Sequence, residues 1–550
     1  MKIGVIIHRI GKKIRLGLNR LFILVGYTVT FVLVVVFFRR GLPSAPTRVL
    51  VLEHSTDLLD RGSCFETWKL ALYRGLTDPY LERIVVHLDT DMSIADVQVF
   101  RGLFQKLKAQ GKKIVCYAQA IGTLGEVGLS GYYLGSCANQ FYLGLCGHIM
   151  LEGASIERLY FGKCLKNLGI KSNFVAQGEY KSGPDGFTRS NMSVQEKAMM
   201  HRILTRWHGQ IIKNLIEDKR LKPSVLKAGM IDLTCSAQEA KKLGWVDQLA
   251  SCWSQVKHQY CPDAESSDAK TYIQNKKNIW TWGYSKLLHR HHIGVLRIEG
   301  ELGSTLLNTQ QFCDQLVEVS QNPAIKAVFI LLNTPGGTSS AAEALRYGVM
   351  CCRIAGKLTV IIMESVAASG GYWIACAGEK IWAQPATLTG SIGVYAGKFD
   401  VQEALAHWGV GFGFVGLGAG SSESLYTSWD QEQRKRWEKV TSFGYEHFLL
   451  LVAEARGMSK KTVHALAQGQ VWTGEEAKAL GLVDNLGHFS DALEWAKKEK
   501  STLKHLEYVD YTPGPRYSLR WIVSALKDQV SKILTEICKK SQKLYTLIYP

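Results

Sequence analysis

No CxxC pair occurs in these 550 residues, so the ligand spacing of a zinc ribbon or finger is missing. The 13 cysteines are odd in number and scattered through apolar stretches, as at Cys116, Cys146, Cys351 and Cys352. That excludes a disulfide scaffold and predicts buried free thiols. The HRHH cluster, His289 to His292, has no second ligand group at metal spacing and reads as a solvated domain edge. RNA-recognition and other nucleic-acid signatures are also missing. The surplus of 66 Lys+Arg over 48 Asp+Glu, a net charge of +18, is therefore not assigned to nucleic acid. Much of it sits at the two ends beside apolar segments, which points to contact with a membrane surface. What is present is the composition of a globular protein with a sizeable core, 46% apolar and 21% charged. The length allows two to four domains at roughly 100–200 residues each.

Charge is missing altogether from residues 21–38, LFILVGYTVTFVLVVVFF. Such a run is long enough to cross a bilayer as a helix and has no polar face. Lys2, Arg9, Lys12, Lys13, Arg15 and Arg20 precede it, whereas only Arg39, Arg40 and Arg48 follow closely. The positive-inside bias predicts a single-pass segment with its N-terminus in the cytoplasm and the bulk of the chain across the membrane. No small-x-small cleavage site follows, so the reading is an uncleaved signal anchor.

The chain contains itself twice. Gly131-Tyr132-Tyr133-Leu134 returns as Gly371-Tyr372-Trp373-Ile374, an offset of 240. At the same offset Leu168-Gly169-Ile170 and Phe174-Val175 return as Trp408-Gly409-Val410 and Phe414-Val415. Leu243 to Asp247 returns as Leu480 to Asp484, at 237. Short β-branched runs (Arg83–Leu88, Ala327–Leu332) alternate with amphipathic helices (Ala341–Ile354) and further apolar runs (Lys113–Tyr117, Leu358–Met363). This pattern predicts α/β units with a largely parallel sheet. The expected division is 1–46 for basic stub and anchor, 47–252 for the first repeat, and 253–290 for a linker centred on the polar stretch 262–277. The second repeat follows at 291–510, and 511–550 forms a tail. After Pro513-Gly514-Pro515 that tail sets Leu519, Ile522, Val523, Leu526 and Val530 at helical spacing among lysines. It reads as a basic amphipathic helix for a membrane surface, a partner, or its own domain.

In the second repeat Ser369 sits in Ala367-Ala368-Ser369-Gly370-Gly371, between a strand-like and a helix-like run. A serine among small residues at such a turn is open to a substrate and lies where free N–H groups favour a developing anion. By itself the segment is an ordinary turn. A second glycine turn, Asn333-Thr334-Pro335-Gly336-Gly337, ends another strand. One N–H from Gly336 or Gly337, with that of Gly370, would make a two-donor oxyanion hole. A serine nucleophile needs a base, and the first repeat offers Lys181 in Gly178-Glu179-Tyr180-Lys181-Ser182-Gly183. Lysine serves as a base only where burial brings its pKa toward neutrality; otherwise it is a solvated charge. Position 421, matching Lys181, is Ser421, and position 129, matching Ser369, is Leu129. Each repeat thus keeps one half of a dyad. Ser182 is the expected group to orient Lys181.

These segments resemble the long, duplicated form of the signal peptide peptidase A (protease IV) family, of the Clp protease–crotonase fold. The resemblance is carried by GEYKSG and FTRSNMS around and after Lys181, NTPGG at 333–337, AASGGYW at 367–373, LTGSIGV at 388–394 and GQVWTGEEAKALGLVD at 469–484. It implies two tandem Clp/crotonase-like domains behind a transmembrane helix in the bacterial inner membrane, with the catalytic bulk on the periplasmic side. It also implies a Ser–Lys peptidase without metal or cofactor, digesting cleaved signal peptides and other peptides, in a homo-oligomeric ring or bowl. Ser369 matches the family's nucleophile, Lys181 its general base, and Gly336, Gly337 and Gly370 the oxyanion region. The counterpart of NTPGG in the first repeat, DTDMS at 89–93, lacks the glycines. Two rivals are an acyl-CoA enzyme of the crotonase branch, which has no use for a Ser–Lys pair, and a non-catalytic membrane scaffold, which would not need to keep both residues.

Overall fold

The computed structural model describes residues 47–53, 61–122, 128–151, 153–218, 220, 222, 233–261, 265–275, 291–304, 309–417, 424–504, 506 and 508–512. The run 21–38 and the tail after 512 lie outside them. Among the described residues no helix is long and apolar enough to cross a membrane.

The strands of the first unit are β1 (Val49–Leu52), β2 (Arg83–Leu88), β3 (Lys113–Ala118), β4 (Gln140–Gly144), β5 (His148–Leu151), β6 (Lys171–Gln177), β7 (Leu233–Ser236), β8 (Gln248–Ala250) and β9 (Ser266–Asp268). Those of the second are β10 (His292–Glu299), β11 (Ile325–Thr334), β12 (Leu358–Ala368), β13 (Lys380–Ala383), β14 (Leu388–Gly390), β15 (Val394–Asp400), β16 (Val471–Thr473), β17 (Asn485–Leu486) and β18 (Tyr508–Asp510). Six strands of the first unit pair in parallel in the order β8-β4-β3-β2-β1-β9. The second repeats this order as β17-β13-β12-β11-β10-β18, also parallel. The antiparallel pair β5–β7 has its counterpart in β14–β16. The protein is two copies of one α/β domain.

The central strands are continuous apolar runs because both sheet faces are covered. In β11, Val328, Ile330 and Leu332 enter one core, and Ala327, Phe329 and Leu331 enter the other. The two-residue period of a strand thus serves two helical layers at once. Part of the stretch read as a linker belongs instead to the first unit. β9 extends its sheet beside β1, and the helix Ala269–Asn275 buries Ala269 and Tyr272 in its core. Polar composition misleads here because an edge strand and a one-sided helix need few apolar residues. The described cysteines are all free, as expected, but Cys146, Cys164 and Cys252 are exposed rather than buried.

One antiparallel seam crosses between the units: β6 pairs with β15, Lys171 opposite Asp400 and Gln177 opposite Val394. The helix Val194–Glu217 of the first unit also rests on the second. Its Trp207 Nε1 donates to the Ala386 carbonyl at 2.9 Å, and its Arg202 guanidinium lies 4.0 Å from the Trp472 ring centre. These contacts carry the first unit's side chains into the second unit's cleft.

Candidate active site

β12 runs unbroken to Ala368 and hands the chain to Ser369, which stands at φ 54°, ψ −116° before the helix Gly370–Ala375. A positive φ on a non-glycine residue is costly and persists only where its surroundings impose it. Here the Ser369 N–H donates to the Gly390 carbonyl at 2.8 Å, and its own carbonyl accepts from Trp373 N–H at 3.0 Å. The hydroxyl is left on the open side of the turn, in a cleft of about 670 Å³.

Lys181 enters that cleft from the first unit. Its loop is clamped where Tyr180 N–H donates to the Gln468 carbonyl at 2.7 Å. Gly469, at φ +76°, lies so close that a β-carbon there would sit 2.5 Å from the Lys181 nitrogen. The side chain is buried, and its Nζ lies 3.1 Å from Ser369 Oγ. Nζ also donates to the Ser391 carbonyl at 2.9 Å and to Ser391 Oγ at 3.0 Å. Among the described residues no carboxylate pairs with it, and burial pulls its pKa down from 10.5 to about 7.

Ser391 was not singled out from the sequence; its only signal was its place in the motif 388–394. It follows β14 with φ 49°, held by its N–H donating to the Gln470 carbonyl at 2.7 Å. It takes the place expected of Ser182, whose hydroxyl instead accepts from Arg158 Nη1 at 3.4 Å.

The glycine turn after β11 lies beside Ser369. Gly336 (φ +105°) approaches so closely that a β-carbon would meet Gly370 N and Ser369 Cβ at 2.8 Å. Its N–H, one of the expected anion donors, is already committed to Thr334 Oγ1 at 3.1 Å. The N–H groups of Gly337 and Gly370 donate to no group among the described residues and border the same cleft.

The matching place in the first unit is closed. Leu129 stands where Ser369 would, and Asp91 Oδ1 accepts from Gly128 N–H at 2.9 Å and from the Ser130 hydroxyl at 2.5 Å. A carboxylate there repels an oxyanion, so the matching place of the first unit offers no anion site of its own.

Residues 106–259 and 353–503 each match peptidase family S49. The chain is 31% identical over 488 residues to Protease 4 of Salmonella typhi, which covers 84% of this chain and 76% of that one. It is 26% identical over 497 residues to Protease 4 of Haemophilus influenzae, 86% and 78% of the two chains. With the chloroplastic serine protease SPPA of Arabidopsis thaliana it shares 25% over 444 residues, 77% of this chain and 64% of that one. A duplicated α/β peptidase is thereby defined, with both family matches falling on the two structural units. The chain belongs to peptidase family S49 and is a serine protease.

Proposed function

We propose that Ser369 and Lys181 form the catalytic dyad of a membrane-anchored endopeptidase that digests cleaved signal peptides and other extended peptides. The supporting observation is the 3.1 Å approach of a buried lysine, without a carboxylate partner among the described residues, to a strained serine 188 residues away. Neutral Lys181 has two hydrogens and one lone pair. The hydrogens go to the carbonyl and hydroxyl of Ser391, which turns the lone pair toward the Ser369 O–H. As a substrate carbonyl settles over the turn, Lys181 takes the hydroxyl proton and Oγ attacks the carbonyl carbon. The oxyanion is held by the N–H groups of Gly337 and Gly370, with Gly336 kept bare so that the two can converge. Lys181, now protonated, delivers its proton to the leaving amine. It then draws a proton from the water that hydrolyses the acyl-enzyme.

The run 21–38 anchors the chain in the bacterial inner membrane with the peptidase units on the extracytoplasmic side, and the working form is a homo-oligomer. The test of the dyad is mass spectrometry after a serine-directed fluorophosphonate. Modification at Ser369, absent in Lys181→Ala, is expected. Labelling at another serine, or equal labelling of the variant, would reject the assignment.

A further inference from the structure

The first unit holds a charged cluster that the mechanism does not use. Glu196 lies in the first turn of the helix Val194–Glu217 and is fully buried. A buried carboxylate is costly unless it is paired and hydrogen-bonded. Both of its oxygens are occupied: Arg158 Nη1 donates to Oε1, and the Tyr160 hydroxyl donates to Oε2 at 2.6 Å. The rest of the guanidinium is turned to the loop of the base. Arg158 Nη2 donates to the Ser182 carbonyl at 3.0 Å and to the Gly183 carbonyl at 3.3 Å, the two carbonyls that follow Lys181. The segment that carries Arg158 is tied to the same loop by its backbone. Phe161 N–H donates to the Gly186 carbonyl at 2.7 Å, and Gly162 N–H to the Arg189 carbonyl at 3.1 Å. Tyr180 is held by the Gln468 carbonyl, so the second unit fixes one side of Lys181 and Arg158 the other. Ser182 and Gly183 border the cleft of Ser369, whereas Arg158, Tyr160 and Glu196 do not.

A planar guanidinium can meet a carboxylate with one nitrogen and two carbonyls with another; an ammonium is a point charge that cannot. The duplication shows where that geometry is kept. At the offset of 240, Arg158 and Tyr160 match Lys398 and Asp400. At 237, the separation of the helix caps Ser193 and Asp430, Glu196 matches Gln433. Lys398 donates to the Ser424 carbonyl at 2.7 Å, and Gln433 Oε1 accepts from the N–H of Asp430, the cap of its own helix, at 2.9 Å. The guanidinium–carboxylate clamp thus stands in the unit whose loop carries Lys181 and is replaced in the other.

We infer that Arg158, anchored on Glu196, is a positioning residue for the general base: by fixing the carbonyls of Ser182 and Gly183 it holds the backbone from which Lys181 reaches Ser369. The inference rests on the dyad reading. Arg158 touches no reacting atom and acts through Lys181. Loosening the clamp lets the amine leave its 3.1 Å approach to Ser369 and lets water reach it. The rate and the pH at which the amine gives up its proton then change together.

The test is steady-state kinetics across pH on the full chain in detergent, comparing Arg158→Lys with the wild type and Lys181→Ala. Arg158→Lys keeps a cation for Glu196 and gives up the fork on the two carbonyls. It is expected to lower kcat by about 10–100-fold with KM within about twofold, and to move the rising limb of kcat/KM to higher pH. Glu196→Gln keeps the shape of the side chain and is expected to show the same pattern with a loss of about tenfold, which decides the matter should Arg158→Lys fold poorly. In Arg158→Ala, added methylguanidinium is expected to restore kcat and the wild-type limb where methylammonium does not. A purely structural role would lower the melting temperature and leave the limb of the folded protein in place. A Lys181→Ala variant as active as the wild type would reject the dyad reading and this inference with it. An inactive Lys181→Ala beside an Arg158→Lys of wild-type kcat, or of lowered kcat on an unmoved limb, would overturn the positioning role alone.

Discussion

Burial of Lys181 lowers its pKa, as the proposed general base requires, at a cost in stability. An unfolded chain keeps a proton on this amine up to about 10.5, while the folded chain releases it near 7. Between these values the unfolded state binds more protons, so this group makes the fold more stable as pH rises across that window. Below it the buried ammonium is a standing penalty. Lys181→Met is expected to abolish activity and to raise the melting temperature at neutral pH, by about 0.5–2 kcal/mol in stability, read by calorimetry. Ser391→Ala leaves the carbonyl contact to Nζ but frees the amine to turn. A fall in kcat of roughly 10–100-fold with little change in KM is expected, checked by steady-state kinetics. Gly336→Ala places a methyl against Gly370 N and Ser369 Cβ. It should cost on the order of 100-fold or more in kcat by spoiling the anion site, while circular dichroism stays native.

At the scale of elements, β12 links the site to the unit interface. Before Ser369 it carries Glu364 and Ser365. The buried Lys69 of the first unit lies 3.2 Å from Glu364, and 2.7 Å from both Asp96 and Glu66. Ser365 donates to Asp96 at 2.8 Å. The carboxylates hold the Lys69 pKa above its ordinary value despite full burial. Removing this cation leaves Glu66 and Glu364 to Arg297 and takes from Asp96 the cation that pairs with it, so Lys69→Met should destabilise the fold by roughly 3–5 kcal/mol. Glu403→Gln, which breaks the exposed Lys171 pair, should change stability by under about 1 kcal/mol. Chemical denaturation distinguishes them. The strands of this region were legible because a run buried on both faces is apolar throughout. β9 was not, since an edge strand of Ser266, Ser267 and Asp268 carries no such signal. Nor was Ser391, because its role depends on a lysine 210 residues earlier and on a backbone twist that sequence does not display.

For the whole molecule, duplication was the most legible fact, since two copies print the same turns and packing glycines twice. The division of labour followed from what each copy had lost, Leu129 in one and Ser421 in the other. Whether Ser369 meets the Lys181 of its own chain or of a neighbour was not legible, because that depends on the β6–β15 seam. The seam brings Lys181 and Ser369 of one chain within 3.1 Å, so if the proposed dyad works, mixed Ser369→Ala and Lys181→Ala chains should remain inactive after co-assembly. Recovered peptidase activity would require a site shared between chains.

The most direct test of the central claim is the pH dependence of kcat/KM for the detergent-solubilised protein on an unstructured fluorogenic peptide, beside Ser369→Ala and Lys181→Ala. The dyad predicts wild-type activity rising through an apparent pKa of about 7 and both variants at background while folded. A variant that cleaves as well as the wild type, or a flat profile across neutral pH, would contradict it.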